Sequence, residues 1–228
     1  MFGMGATAPI TTDWFWTEVE LLRERWDVLE HPFYRRWSAG ELRSSELQLY
    51  ASEYHHAVLA IAVASKRAAE LAHHPLVEKL RDHAIEERDH VDAWARFARA
   101  TGWCRGVAWF FGEDPYEQTV ACARVWSGGQ FRRLPEHLVT LYAIESAQPS
   151  LSRVKLEGLL EHYGFEEGPG TEHFSVHAWR DHEHAALARE AFEQVAFQED
   201  PFALLGQVEA VYRSHWGLLD GLEQASRG

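Results

Sequence analysis

The segment His177-Ala-Trp-Arg-Asp181-His-Glu-His184 sets a histidine, an aspartate and a second histidine four and three residues apart. At about 100° per residue these side chains fall in one narrow strip of an α-helix, so all three would point at one place. Imidazole and carboxylate together suit iron, zinc or manganese, and the segment has no cysteine for a thiolate-rich site. In a chain with 14 histidines and 35 acidic residues a plain polar helix face would look the same. The strip therefore gains meaning only if other segments bring ligands to it.

Three segments do. Glu53 lies among Leu47, Tyr50, Ala51, Tyr54, Val58, Ile61 and Ala62, where a bare carboxylate is expensive to bury unless a cation or donor meets it. Glu87 and His90 are three residues apart and share a face with Trp94 and Phe97. Glu145 sits on a face otherwise made of Leu138, Leu141, Tyr142 and Ile144. With His177, Asp181 and His184 these make seven candidate ligands, four carboxylates and three imidazoles. Two iron ions bridged by carboxylates need about this set, because oxygen and nitrogen donors hold both Fe(II) and Fe(III) and leave positions open for dioxygen. Carboxylate-rich sites accept manganese as well, so a mixed Fe/Mn pair is compatible. The remaining histidines, His55, His56, His73, His74, His83, His137, His162, His173, His182 and His215, read as solvent-facing or locally hydrogen-bonded.

The elements that must position these residues are helical throughout. Apolar residues recur at helical spacing from Thr12 to Leu29, from about Ser45 to His73 and from about Leu76 to Ala100. The pattern resumes from Pro115 to Trp126, from Pro135 through a bend at Pro149 to Tyr163, from Gly170 to about Gln198, and from Pro201 onward. Pro32 to Gly40 reads as a short helical turn, and Trp103 to Glu113 as a loop. With no strand-like alternation and short connections, the expectation is one all-α domain, residues 1–228, of seven helices in an antiparallel bundle, residues 1–11 being a loose tail.

Composition bounds the partners. With 22 basic against 35 acidic residues the formal charge is −13 and no basic tract exists, which disfavours a nucleic-acid or anionic-membrane partner. No stretch approaches the roughly 20 apolar residues that span a bilayer. The N-terminus lacks the pattern of a secretory signal. Cys104 and Cys122 are too few for a disulfide framework. The expectation is a cytoplasmic protein acting on small molecules.

In chain order, Glu53, Glu87 with His90, Glu145 and the His-x3-Asp-x2-His strip resemble the heme-oxygenase-like diiron oxidases and oxygenases. That seven-helix superfamily also holds the TenA thiaminase-like proteins and the pyrroloquinoline-quinone synthases. The resemblance covers nearly the whole chain, beginning at Val28-Leu-Glu-His-Pro-Phe-Tyr. Within the superfamily, His31-Pro-Phe-Tyr34-Arg-Arg-Trp37, Glu145-Ser146 followed by Lys155, Glu161-His-Tyr-Gly-Phe165 and His177 to His184 are similar to the family of the chlamydial protein associating with death domains. That resemblance implies oxygen-dependent synthesis of p-aminobenzoate for folate in a homodimer, with two irons, dioxygen as co-substrate and an external reductant. It also implies that the enzyme's own tyrosine is the ring source and a lysine the amino donor. The matching positions are Tyr34 and Lys155, which a packed tyrosine and a surface lysine would equally explain. The compact Glu87-x-x-His90 departs from that family and looks more like the branch that fragments fatty or amino acids to alkenes. Oxidation of a separate small amine, amino acid or fatty acid therefore stays open. So does a non-enzymatic TenA-like binding or regulatory protein, although the thiaminases' nucleophilic cysteine has no counterpart between Thr140 and Glu145.

Overall fold

The computed structural model describes residues 12–73, 75–102, 114–129, 133–196 and 199–227. The expected tail at 1–11, the loop at 103–113 with Cys104, and His74 lie outside the described residues. The helices are α1 (Thr12–Arg25), α2 (Pro32–Ser38), α3 (Ser44–Leu71), α4 (Val77–Ala100), α5 (Glu117–Trp126), α6 (Leu134–Glu145), α7 (Gln148–His162), α8 (Glu172–Val195) and α9 (Pro201–Ser226). A 3-10 turn, Val28–Glu30, precedes α2. All seven expected helical segments are present. Two features raise the described count to nine: Pro32–Ser38 closes into a true helix, and the segment around Pro149 breaks rather than bends. Proline lacks an N–H and is tolerated in the first turn of a helix, so α6 ends at Glu145 and α7 restarts with Pro149 near its beginning.

Local sequence sets these boundaries. The buried His31 Nδ1 accepts from Phe33 N at 3.1 Å and caps α2, with Pro32 at its first position. Arg43 N donates to Glu46 Oε2 at 2.9 Å at the start of α3, and Phe202 N to Asp200 Oδ1 at 3.0 Å at the start of α9. Each such cap contributes about 1 kcal/mol. Gly40, at φ +70°, leaves α2 in the left-handed conformation beneath the His162 ring, which a Cβ would approach to 2.9 Å.

Helix α3 buries Leu47, Tyr50, Tyr54, Val58 and Ile61 at helical spacing and packs along α4. Helix α8 lies against α4, α6 and α7, and α9 against α1, α5 and α6. The core is unusually aromatic: Phe15, Phe33, Tyr34, Trp37, Tyr50, Tyr54, Trp94, Phe97, Trp126 and Phe174 are all fully or almost fully buried. Side chains of this size contribute roughly 1.5–3 kcal/mol each by burial. No helix among the described residues is long and apolar enough to cross a membrane.

Candidate metal centre and a buried tyrosine–lysine pair

Helices α4 and α8 lie face to face, and their imidazoles meet in crossed order. The rings of His83 and His184 are 4.3 Å apart, and those of His90 and His177 are 4.2 Å apart. The early end of α4 thus faces the late end of α8, so the two run antiparallel. His83-x3-Glu87-x2-His90 on α4 has the same spacing as His177-x3-Asp181-x2-His184 on α8. Each strip places an acid between two imidazoles. Asp181 Oδ2 is 2.7 Å from His177 Nδ1, and Glu87 Oε1 is 3.1 Å from His90 Nδ1. His184 Nδ1 lies 3.4 Å from Glu87 Oε1 and 3.6 Å from Asp181 Oδ1, tying the strips together. The last residue of α6, Glu145, completes the cluster from a third helix, its Oε1 being 2.8 Å from His83 Nε2. One ligand atom each from His83, Glu87, Glu145 and His184 lie within 4.8 Å of one another, and all four residues are buried.

These residues fit a cation. His83 Nε2, both Glu145 oxygens, His184 Nδ1 and His177 Nε2 are buried without a hydrogen-bond partner; the close His83–Glu145 approach lacks the alignment of a hydrogen bond. An orphaned buried polar group costs about 1–3 kcal/mol, so their gathering in one place is unfavourable unless a positive ion joins them. Imidazole and carboxylate without thiolate suit a divalent first-row metal. His184 Nε2 sits 3.1 Å from Glu86 Oε2, an arrangement that leaves Nδ1 directed at the cluster. An open groove of about 470 Å³ between α4 and α8, lined by Lys79, Asp82, Glu86, Arg180 and Glu183, reaches His83 and His184 from solvent.

Electrostatics agree with this charge pattern. Burial disfavours charge on Glu87, but the neighbouring imidazoles of His184 and His90 outweigh burial and hold the carboxyl well below its usual range. Burial likewise works against charge on His184, yet Asp181 and Glu87 push it up to about 11. Burial raises Glu145, against the opposing pull of His83. Without metal, protons on His83, His177 and His184, whose pKa values are all raised, balance the carboxylates; an entering cation takes their place.

Of the expected ligands, Glu87, Glu145 and His184 fall in the four-residue cluster, and His90, His177 and Asp181 form its adjoining end. His83, expected to face solvent or to hydrogen-bond locally, is a cluster member instead. The signal for it is the repeated His-x3-acid-x2-His spacing, which the shorter Glu87-x-x-His90 pattern conceals. His173, also expected to be peripheral, is buried with its ring 4.3 Å from that of His177. Glu53 is placed differently. Its Oε2 accepts from Tyr116 N at 3.1 Å, at the start of α5, where the helix N-terminus favours a negative charge.

Tyr34 and Lys155 meet one layer away. Lys155 is only 1% exposed, so it is no surface lysine. Its Nζ lies 5.4 Å from the ring centre of Tyr34, 5.6 Å from Tyr50, 4.6 Å from Tyr54 and 5.7 Å from Phe174. The Tyr34 and Tyr50 hydroxyls are 2.9 Å apart. Burial holds the Lys155 amine well below its ordinary pKa, with the charge of Asp181 pulling the other way. A lowered pKa favours the neutral amine, whose free lone pair is what lets nitrogen form new bonds. Burial also pushes the Tyr34 phenol well above its usual value, keeping it protonated.

No family model matches the chain. It is 29% identical over 221 residues to the 4-aminobenzoate synthase of Chlamydia muridarum, covering 93% of this chain and 92% of the relative. It is 26% identical over 231 residues to the 4-aminobenzoate synthase of Nitrosomonas europaea, covering 94% and 93%. Among solved structures, a TenA homologue from Pseudomonas syringae superposes with a TM-score of 0.80 at 18% identity, covering 98% of this chain and 99% of that one. A domain with a heme oxygenase-like fold from Shewanella denitrificans gives a TM-score of 0.74 at 15% identity, covering 93% of each. The fold is therefore the heme-oxygenase-like helical bundle, and the sequence is similar along nearly its full length to 4-aminobenzoate synthases.

Proposed function

We propose that this protein is a 4-aminobenzoate synthase that uses its own Tyr34 as ring source and its own Lys155 as nitrogen source, beside a pair of metal ions. The observation that carries this reading is the buried Lys155 amine facing the Tyr34 ring at 5.4 Å, where the charge of Asp181 is still felt. Evolution seldom buries a lysine without a carboxylate partner unless its chemistry is used. The centre is assigned His83, Glu145 and His184 at one end and His90 and His177 at the other, with Glu87 and Asp181 between them. Two irons, or iron with manganese, suit this donor set. Iron held there supplies the capacity to bind and reduce dioxygen with electrons from an external donor.

The chain's own residues do the rest. The aromatic wall of Tyr34, Tyr50, Tyr54 and Phe174 excludes water and favours the neutral form of the Lys155 amine. The Tyr50 hydroxyl is the immediate proton partner of the Tyr34 phenol. Glu86 orients His184. The protein is further assigned to the cytoplasm, as a homodimer with no nucleic-acid partner. In a strain unable to make p-aminobenzoate, the wild type restores growth and Tyr34→Phe and Lys155→Met do not. Failure of the wild type, or rescue by Tyr34→Phe, overturns the reading. Oxidation of a separate small substrate would leave Tyr34 intact.

A further inference from the structure

We infer that the short helix α2 is a two-point bracket that sets the separation of Tyr34 from Lys155, with His31 and Trp37 as its positioning residues. This rests on the reading that Tyr34 and Lys155 react together. The first point is His31. It is 1% exposed; its Nδ1 accepts from Phe33 N at 3.1 Å, its Nε2 lies 3.2 Å from Asp220 Oδ1 of α9, and its ring stands edge-on to Trp216 at 4.8 Å. Because Nδ1 is the acceptor, the ring hydrogen sits on Nε2 and points at Asp220. One imidazole thus caps α2 and pins its start to α9, three residues before Tyr34.

The second point is Trp37, whose Nε1 donates to the backbone carbonyl of Lys155 itself at 3.1 Å. Tyr34 and Trp37 are three residues apart and share a face of α2, so the helix that carries the phenol is bonded to the residue that carries the amine. Gly158 makes this approach possible. A Cβ there would lie 2.6 Å from Trp37 Cδ1 and 2.7 Å from Trp37 Nε1, so any side chain at 158 would push the indole off Lys155. None of the three residues belongs to the metal cluster on α4, α6 and α8, and their effect on it should be small.

The test uses the full chain, loaded anaerobically with Fe(II) and then exposed to air with a reductant. Bound iron per chain, 4-aminobenzoate per chain and intact Tyr34 peptide are measured. Trp37→Phe removes the indole N–H together with part of the ring, Gly158→Ala displaces the indole and His31→Leu removes the cap. Each should leave bound iron at the wild-type level and lower product per chain on the order of 10- to 100-fold, the penalty for misplacing reacting groups by about an ångström. His31→Asn, which keeps a cap acceptor but not the reach to Asp220, should recover product only in part, to a level between His31→Leu and wild type. Wild-type product from both Trp37→Phe and Gly158→Ala overturns the bracket, and so does loss of iron in step with product. A crystal structure of Trp37→Phe tests the same claim without turnover: an unchanged 5.4 Å separation between Lys155 Nζ and the Tyr34 ring refutes it. Iron-loaded wild type that releases no product refutes the proposed function instead, and the crystal structure still decides the bracket.

Discussion

Replacing Lys155 with methionine should stabilise the protein while ending its chemistry. Methionine approximates the length of the lysine stem and fills irregular apolar space. What the change removes is an amine buried to 1% exposure against four aromatic rings. Burying such a group without full hydrogen bonding costs about 1–3 kcal/mol in mutational data. The pH dependence has a definite sign. Burial lowers the folded pKa of the amine well below its ordinary 10.5, so the folded state binds fewer protons than the unfolded chain. Between the folded pKa and 10.5, stability rises with pH; above 10.5 the protonation penalty is gone. Lys155→Met should therefore gain about 1–3 kcal/mol at pH 7, equivalent to roughly 2–12 °C in Tm for a chain of this size, and the gain should shrink toward pH 10.5. Urea denaturation of the metal-free proteins at pH 7 and pH 10 measures it. A variant less stable than wild type by 1 kcal/mol or more at pH 7 would refute the reasoning, because the amine would then be a structural partner.

Other outcomes separate the ligand sets. His83→Ala should lose bound metal, whereas Glu53→Ala should keep it and lose only the bond to Tyr116 N, a cost of about 0.5–2 kcal/mol seen in thermal unfolding; the reverse pattern would restore Glu53 to the centre. Glu86→Ala should weaken metal affinity about 10- to 100-fold in calorimetric titration, with Glu86→Gln, which keeps an acceptor for His184, closer to wild type; equal affinities would remove Glu86 from any role at the centre.

The helical segments are legible in the sequence because apolar periodicity, Pro32, Pro201 and the capping residues are local signals. Six of the seven expected ligands gather for a related reason: a carboxylate or imidazole on an apolar helix face must find compensation inside. That rule does not say which compensation. Glu53 meets it with a backbone N–H from residue 116, a partner 63 positions away that no local pattern reveals. His83 was hidden by its neighbours, since Glu87 and His90 make a complete short motif without it and only comparison with the spacing on α8 exposes it. Lys155 looks like an ordinary helical lysine on α7. Its burial arises from Tyr34 on α2 and Tyr50 and Tyr54 on α3, long-range packing that sequence spacing does not encode. The break after Glu145 follows from Pro149, yet its consequence, a carboxylate at the very end of α6 facing His83, appears only in three dimensions.

Peptide mass spectrometry of the iron-loaded protein before and after exposure to air, with 4-aminobenzoate quantified in the same sample, tests the central claim most directly. The account predicts that product appears in step with loss of the intact peptides carrying Tyr34 and Lys155, and in at most one equivalent per chain. Product formed while both side chains stay unaltered would contradict it.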